Sequence, residues 1–134
     1  MTMLREYMIS VGWVVSFLVL AMVARYLFDR ITPFRLRDAS AQKNAAVGRV
    51  LRGLYLGLAI ILGAAMYSTH SILTALRDGA IGVVLMLLMY KVYDLIDWRD
   101  FARELADGNT MLGMELEGLF ILLSAVIVGS MNYV

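Results

Sequence analysis

The chain has 134 residues, 61% hydrophobic and 17% charged, with a mean hydropathy of +0.76; an ordinary soluble domain is about 45–50% apolar and about 25% charged. The length allows one domain, a single proline and no cysteine exclude a collagen-like or disulfide-stapled chain, and a net charge of +1 gives no electrostatic case for nucleic acid. Of 23 charges, nine fall in Arg25–Arg52 and ten in Lys91–Glu117; only Arg5, Glu6, Arg77 and Asp78 lie elsewhere.

Apolar tracts between the charged islands predict four transmembrane helices. Tyr7–Ala24 offers 18 uncharged residues, close to what a ~30 Å hydrocarbon core requires at ~1.5 Å per residue. Its run is long for a signal peptide, and Glu6 cancels Arg5 in front of it. The second tract runs from near Asn44 to Tyr67, with Arg49 and Arg52 early in it. The third, near Gly79–Leu95, is the weakest: 12 residues separate Asp78 from Lys91, so Lys91 must snorkel to the interface. The fourth, Met111–Met131, carries Glu115 and Glu117 near its start. No alternating pattern suggests a barrel. The expected fold is therefore all-α, a single membrane domain over residues 1–134.

Lysine and arginine counts set the expected orientation. The first and third connections hold ten; the N-terminus and second connection hold two. The positive-inside rule places both charged connections in the cytoplasm and both termini outside. Tyr7, Trp13, Tyr67 and Tyr133 then fall near the outer interface, and Tyr26, Phe28, Tyr90, Tyr93 and Trp98 near the inner one.

A shift of 65 residues partly overlays the chain on itself. Asn44 falls on Asn109, Gly48 on Gly113, Gly53-Leu54-Tyr55 on Gly118-Leu119-Phe120, and Asp29 and Ile31 on Asp94 and Ile96. The unit is a two-helix hairpin, with copies at about 7–67 and 79–134. Two spans per unit give both copies one orientation, which predicts a pseudo-two-fold axis along the membrane normal. Asn44 and Asn109 sit where a helix begins, where a side-chain oxygen caps a free first-turn N–H. Gly48, Gly53, Gly57, Gly113 and Gly118 are candidate close-packing positions, and Gly53-x-x-x-Gly57 is a literal small-residue packing motif, read as an internal contact.

Ile31-Thr32-Pro33, Lys43-Asn44-Ala45-Ala46, Gly53-x-x-x-Gly57 and Gly108-Asn109-Thr110 with Gly113 appear in that order. In this order, which covers nearly the whole chain, the sequence resembles the DUF350 (YjfL-like) family of bacterial inner-membrane proteins. The resemblance implies a multi-span protein built of two-helix repeats, without an assigned activity. It also implies genes lying near those of PspA-like membrane-stress proteins and of an ATP-grasp, glutathionylspermidine-synthase-like enzyme. The sequence departs from the family pattern in two ways. Leu58-Ala59-Ile60-Ile61 replaces a usual mid-helix proline, and Arg49, Arg52, Glu115 and Glu117 replace small or apolar residues.

Those four charges are the candidate site. Arg52 and Glu117 are equivalent under the repeat and lie eight residues past their Asn, about 12 Å along the helix. Acidic groups near a helix N-terminus are favoured and basic ones are not, so the arginines need a partner. Arg49 and Arg52 share a face; Glu115 and Glu117 point apart, and Glu117 shares a face with Gly113 and Ser124. One reading is an Arg52–Glu117 pair holding the hairpins together while Arg49 reaches lipid phosphates. Another is a polar vestibule for an ion or anionic solute, and a third is oligomer contact.

Asp97–Ala106 places Trp98, Phe101 and Leu105 at helical spacing, which suits either a short interfacial helix or a charged loop. The Phe34–Lys43 stretch offers charge to anionic lipid head groups. His70 reads as a solvated loop residue, and no cofactor or metal shell is expected. Hydrolase motifs, phosphate-binding glycine loops and a cysteine nucleophile are absent, so no catalytic residues are expected. Two functions remain: a non-enzymatic envelope or membrane-stress scaffold with a cytoplasmic protein partner, or a subunit of a small homo-oligomeric channel or transporter.

Overall fold

In a computed structural model, which describes residues 2–32, 35–69 and 71–131, the chain is helical in every regular element. The helices are α1 (Thr2–Ile31), α2 (Leu36–Ala41), α3 (Ala45–Ser68), α4 (Ile72–Ile96), α5 (Phe101–Ala106) and α6 (Thr110–Ser130). Four of them, α1, α3, α4 and α6, are long and apolar enough to cross a membrane. Pro33, Phe34, His70 and Tyr133 lie outside the described residues.

The third span is longer than expected. It begins at Ile72 because Ser71 Oγ accepts from Thr74 N–H at 3.3 Å, and because Arg77 neutralises Asp78 at 3.3 Å. A short helix also forms where none was expected, at α2. Its bounds recur 65 residues later in α5, and the end of α1 and start of α3 recur at the end of α4 and start of α6.

Helix α3 is central. Its most extensive contact is with α6, followed by α4, and α1 packs mainly on α4. The α3–α6 seam is close because glycine removes the side chain on one side. A Cβ on Gly53 would lie 2.5 Å from Glu117 Cα, and one on Gly113 would lie 2.5 Å from the Ala46 carbonyl oxygen. Such an approach lets backbones pack where lipid supplies no hydrophobic drive between helices. Gly48 and Gly118 correct the expectation of close packing at every repeated glycine. Both are exposed, with nothing within 4 Å of a Cβ.

The expected pseudo-two-fold axis is also corrected. A two-fold would bring the same face of each helix together. Instead α3 presents Ala46, Gly53 and Gly57, while α6 presents Gly113, Glu117, Phe120 and Ser124. With 65 residues subtracted and ~100° per residue, these faces are about 150° apart on the common unit. A two-fold would also give α6–α1 the contact that α3–α4 makes, and no comparable α1–α6 contact forms among the described residues. The two hairpins meet head to tail.

Trp13, Phe28 and Tyr90 are core residues rather than interfacial ones. Tyr90 is the hub of the core near the charged end, with ring centroids 5.6 Å from Phe28, 6.0 Å from Phe101 and 6.1 Å from Phe120. Tyr7, Tyr26, Tyr67 and Trp98 are exposed, and α1 carries apolar side chains outward along its length.

The seam predicts opposite responses at paired glycines. Gly53→Ala should lower unfolding stability in detergent by about 1–3 kcal/mol through overpacking. Gly118→Ala should leave it unchanged or raise it slightly, and thermal unfolding of the two purified variants checks both.

Candidate functional site

The charged end of the bundle is built from two corners made the same way. Asp29 Oδ1 accepts the Leu36 N–H at 2.9 Å, and Asp94 Oδ1 accepts the Phe101 N–H at 3.1 Å. Each carboxylate satisfies a first-turn donor that its short helix leaves free. Each corner then turns through one positive-φ residue, Lys43 (φ 54) and Gly108 (φ 86), before its asparagine. Buried Leu36, Phe101 and Leu105 anchor the short helices in the core. Trp98 is outside α5 and exposed, so the expected Trp98–Phe101–Leu105 stripe does not form one helix face.

Asn44 Oδ1 accepts from Ala46 and Val47 N–H at 3.0 and 3.3 Å, and Asn109 Oδ1 accepts from Leu112 N–H at 3.2 Å. Their amide groups differ. Asn44 Nδ2 donates across the molecule to the Leu105 carbonyl at 2.8 Å, tying the first corner to the second. Asn109 Nδ2 stays within its own corner, donating to Glu104 Oε2 at 3.1 Å. The cross-link made by Asn44 is invisible in the sequence, because it depends on which hairpin lies beside which.

The four candidate charges separate into three environments. Arg52 and Glu117 form a two-point ion pair, with Arg52 Nε on one carboxylate oxygen and an Nη on the other at 3.1 Å. Glu115 turns away and accepts from Arg99 at 2.9 Å. Arg49 pairs with neither glutamate, and its Nε is buried without a hydrogen-bond partner among the described residues.

Arg99 is the charged-end residue that sequence reasoning missed. It grips Asp97 with two bonds at 3.0 and 3.1 Å, reaches Glu115, and lies 5.6 Å from the Trp98 ring centroid and 5.9 Å from that of Phe101. Its hydrogen bonds to Asp97 hold that carboxyl below its ordinary value. The only sequence signal was the run of alternating charge in Asp97–Glu104. Asp78 was likewise missed as an inward residue: it is buried on the packed face of α4, at the end opposite the corners.

A polar hollow of about 330 Å³ lies between the corners, lined by Arg35, Asp38, Gln42, Asn44 and Ala106 among others. No cluster of His, Asp and Glu suited to a metal ion occurs among the described residues.

Comparison with protein families matches residues 2–131 to the family described as Domain of Unknown Function (DUF350). The chain belongs to the DUF350 family. Neither a curated protein nor a solved structure matches it. In this DUF350 chain the matched stretch runs from the start of α1 to the residue that closes α6, so both corners and all four charges lie inside it.

Arg52→Ala and Glu117→Ala should each lower the melting temperature in detergent, and the swap Arg52→Glu with Glu117→Arg should recover most of the loss. Asp97 contributes through a depressed carboxyl, so its stabilisation is fully present above the ordinary range near pH ~4 and fades as pH falls through the lowered value. The deficit of Arg99→Gln relative to the native chain should therefore be largest at neutral pH and shrink in acid, as read by melting curves across pH.

Proposed function

We propose that this is a non-enzymatic protein of the bacterial inner membrane, with both termini outside, whose paired corners form a rigid cytoplasmic docking platform. The two hairpins are copies of one unit, and the positive-inside rule assigns the corner end to the cytoplasm. The observation that carries the reading is the double clamp: Asp29 and Asp94 fix two short charged helices, and Asn44 ties one corner to the other. A surface held this firmly loses little conformational entropy on binding, which favours recognition of a partner. Its chemistry suits anionic lipid head groups around Arg35 and Arg37, and a charged cytoplasmic protein. The neighbourhood that the family resemblance implies makes a PspA-like membrane-stress protein the partner to try first.

The second reading is a subunit of a small oligomeric channel or transporter with a charged vestibule. It is favoured by Arg49, whose buried Nε has no hydrogen-bond partner among the described residues. Within one copy the α3–α6 seam leaves no path, because Gly53 meets the Glu117 backbone.

Vesicles of zwitterionic lipid carrying the protein should retain a PspA-like protein on flotation, and Arg37→Glu on α2 with Arg103→Glu on α5, one basic residue from each corner helix, should reduce that retention. The same vesicles should show no ion or anion leak. Flux lost on Arg49→Ala, with no retention of the partner, would replace the scaffold reading by the channel one.

A further inference from the structure

An apolar groove of about 560 Å³ runs between α1 and α3. Its walls include Val14, Leu18, Met22 and Arg25 from α1, and Tyr55 and Ala59 from α3, all of them exposed. Sixty-five residues on, these positions are Gly79, Val83, Leu87, Tyr90, Phe120 and Ser124, and every one is buried. The groove of the second hairpin is closed because α3 fills it. There Gly57 lies against Met86, Phe120 and Ser124, Ile61 against Gly82, and Leu62 against Gly79. Among the described residues, the first hairpin has the same seat without an occupant.

The matching plug is exposed as well. The α3 residues that fill the second groove include Ala46, Gly53, Gly57 and Ile61; their counterparts on α6 are Met111, Gly118, Leu122 and Val126, all turned outward. Head-to-tail contact between the hairpins leaves one unused face at each end of the chain, the condition for a heterologous interface between copies. Charge agrees with this. Arg25 stands where the second hairpin has buried Tyr90, and Glu115, which Arg99 holds within its own chain, stands where α3 has buried Val50, so opposite charges lie toward the corner end of seat and plug.

We infer that α6 of one copy seats in the α1–α3 groove of the next, repeating between chains the packing that α3 makes within one. The occupant is a second copy of this chain. The assembly is directional, closing into a ring or continuing as a row according to the rotation per copy. This inference rests on the equivalence of the two hairpins and is independent of what binds the corners. Val14 in place of Gly79 and Leu122 in place of Gly57 hold the seated helix farther off, so the contact between copies is looser than the one inside.

The chain has no cysteine, so engineered pairs report cleanly. Inside the chain, a Cβ on Gly57 would lie 3.4 Å from Ser124 Cβ, close to disulfide range. The equivalent pair between copies is Leu122 with Ala59, both on exposed positions whose substitution leaves the internal seam intact. Under mild oxidation in native membranes, the chain carrying both Ala59→Cys and Leu122→Cys should give a ladder of dimers and larger species. Each single-cysteine chain should stay monomeric, and the two single-cysteine chains co-expressed should give dimers and nothing larger. Efficient self-linking of a single-cysteine chain would show a symmetric interface and overturn the inference. So would absence of any cross-link in the double variant, alongside a monomer mass for the native chain in mild-detergent mass spectrometry. A lost flotation partner with an intact ladder would reject the platform reading and leave this one standing.

Discussion

The structure depends on one close contact, the approach of α3 to α6 at Gly53 and Gly113. In a bilayer, apolar side chains gain little by exchanging lipid for one another, so packing distance and polar pairing decide which helices adhere. Glycine on one side and main chain on the other allow the nearest approach. That approach sets the depth at which Arg52 meets Glu117 and the offset that brings Asn44 to the Leu105 carbonyl. It also makes α3 central and leaves α1 on the outside of the bundle.

Charge is distributed around this seam according to what can reach it. Glu117 lies on the seam side of α6 and is mostly covered, whereas Arg52 is more than half exposed and reaches in from the edge. Glu115, two residues earlier, points elsewhere and is met by Arg99 from the second corner. Burying a carboxylate without a partner is costly in a low-dielectric surrounding, so the covered Glu117 has a guanidinium, and the exposed Glu115 is held by Arg99 at the surface. Arg49 is the exception, and it separates the two functional readings because its Nε has no acceptor among the described residues.

Much of the fold was legible in the sequence because membrane thickness and backbone hydrogen bonding restrict the choices so strongly. Four apolar tracts became four long helices, and Asn44 and Asn109 became caps. Less was legible where a segment's form depends on distant packing. Helix α2 escaped notice because six residues with mixed charge have no periodic signal; only its counterpart 65 residues later could have revealed it. Trp13, Phe28 and Tyr90 looked interfacial because an aromatic near a helix end fits either a headgroup layer or a core. Gly48 and Gly118 looked like packing positions because the repeat makes them equivalent to glycines that do pack.

The sequence by itself determined the number of spans, the clustering of charge at one end and the 65-residue correspondence, since all three follow from local composition and spacing. Tertiary structure decided how the two halves meet. Residue spacing makes the hairpins alike but carries no instruction about which face of one touches which face of the other. That choice came from the particular glycines, Gly53 on α3 and Gly113 on α6, that permit close backbone contact. It converted an expected two-fold into a head-to-tail arrangement, with Arg52 held to Glu117 and one face left open at each end.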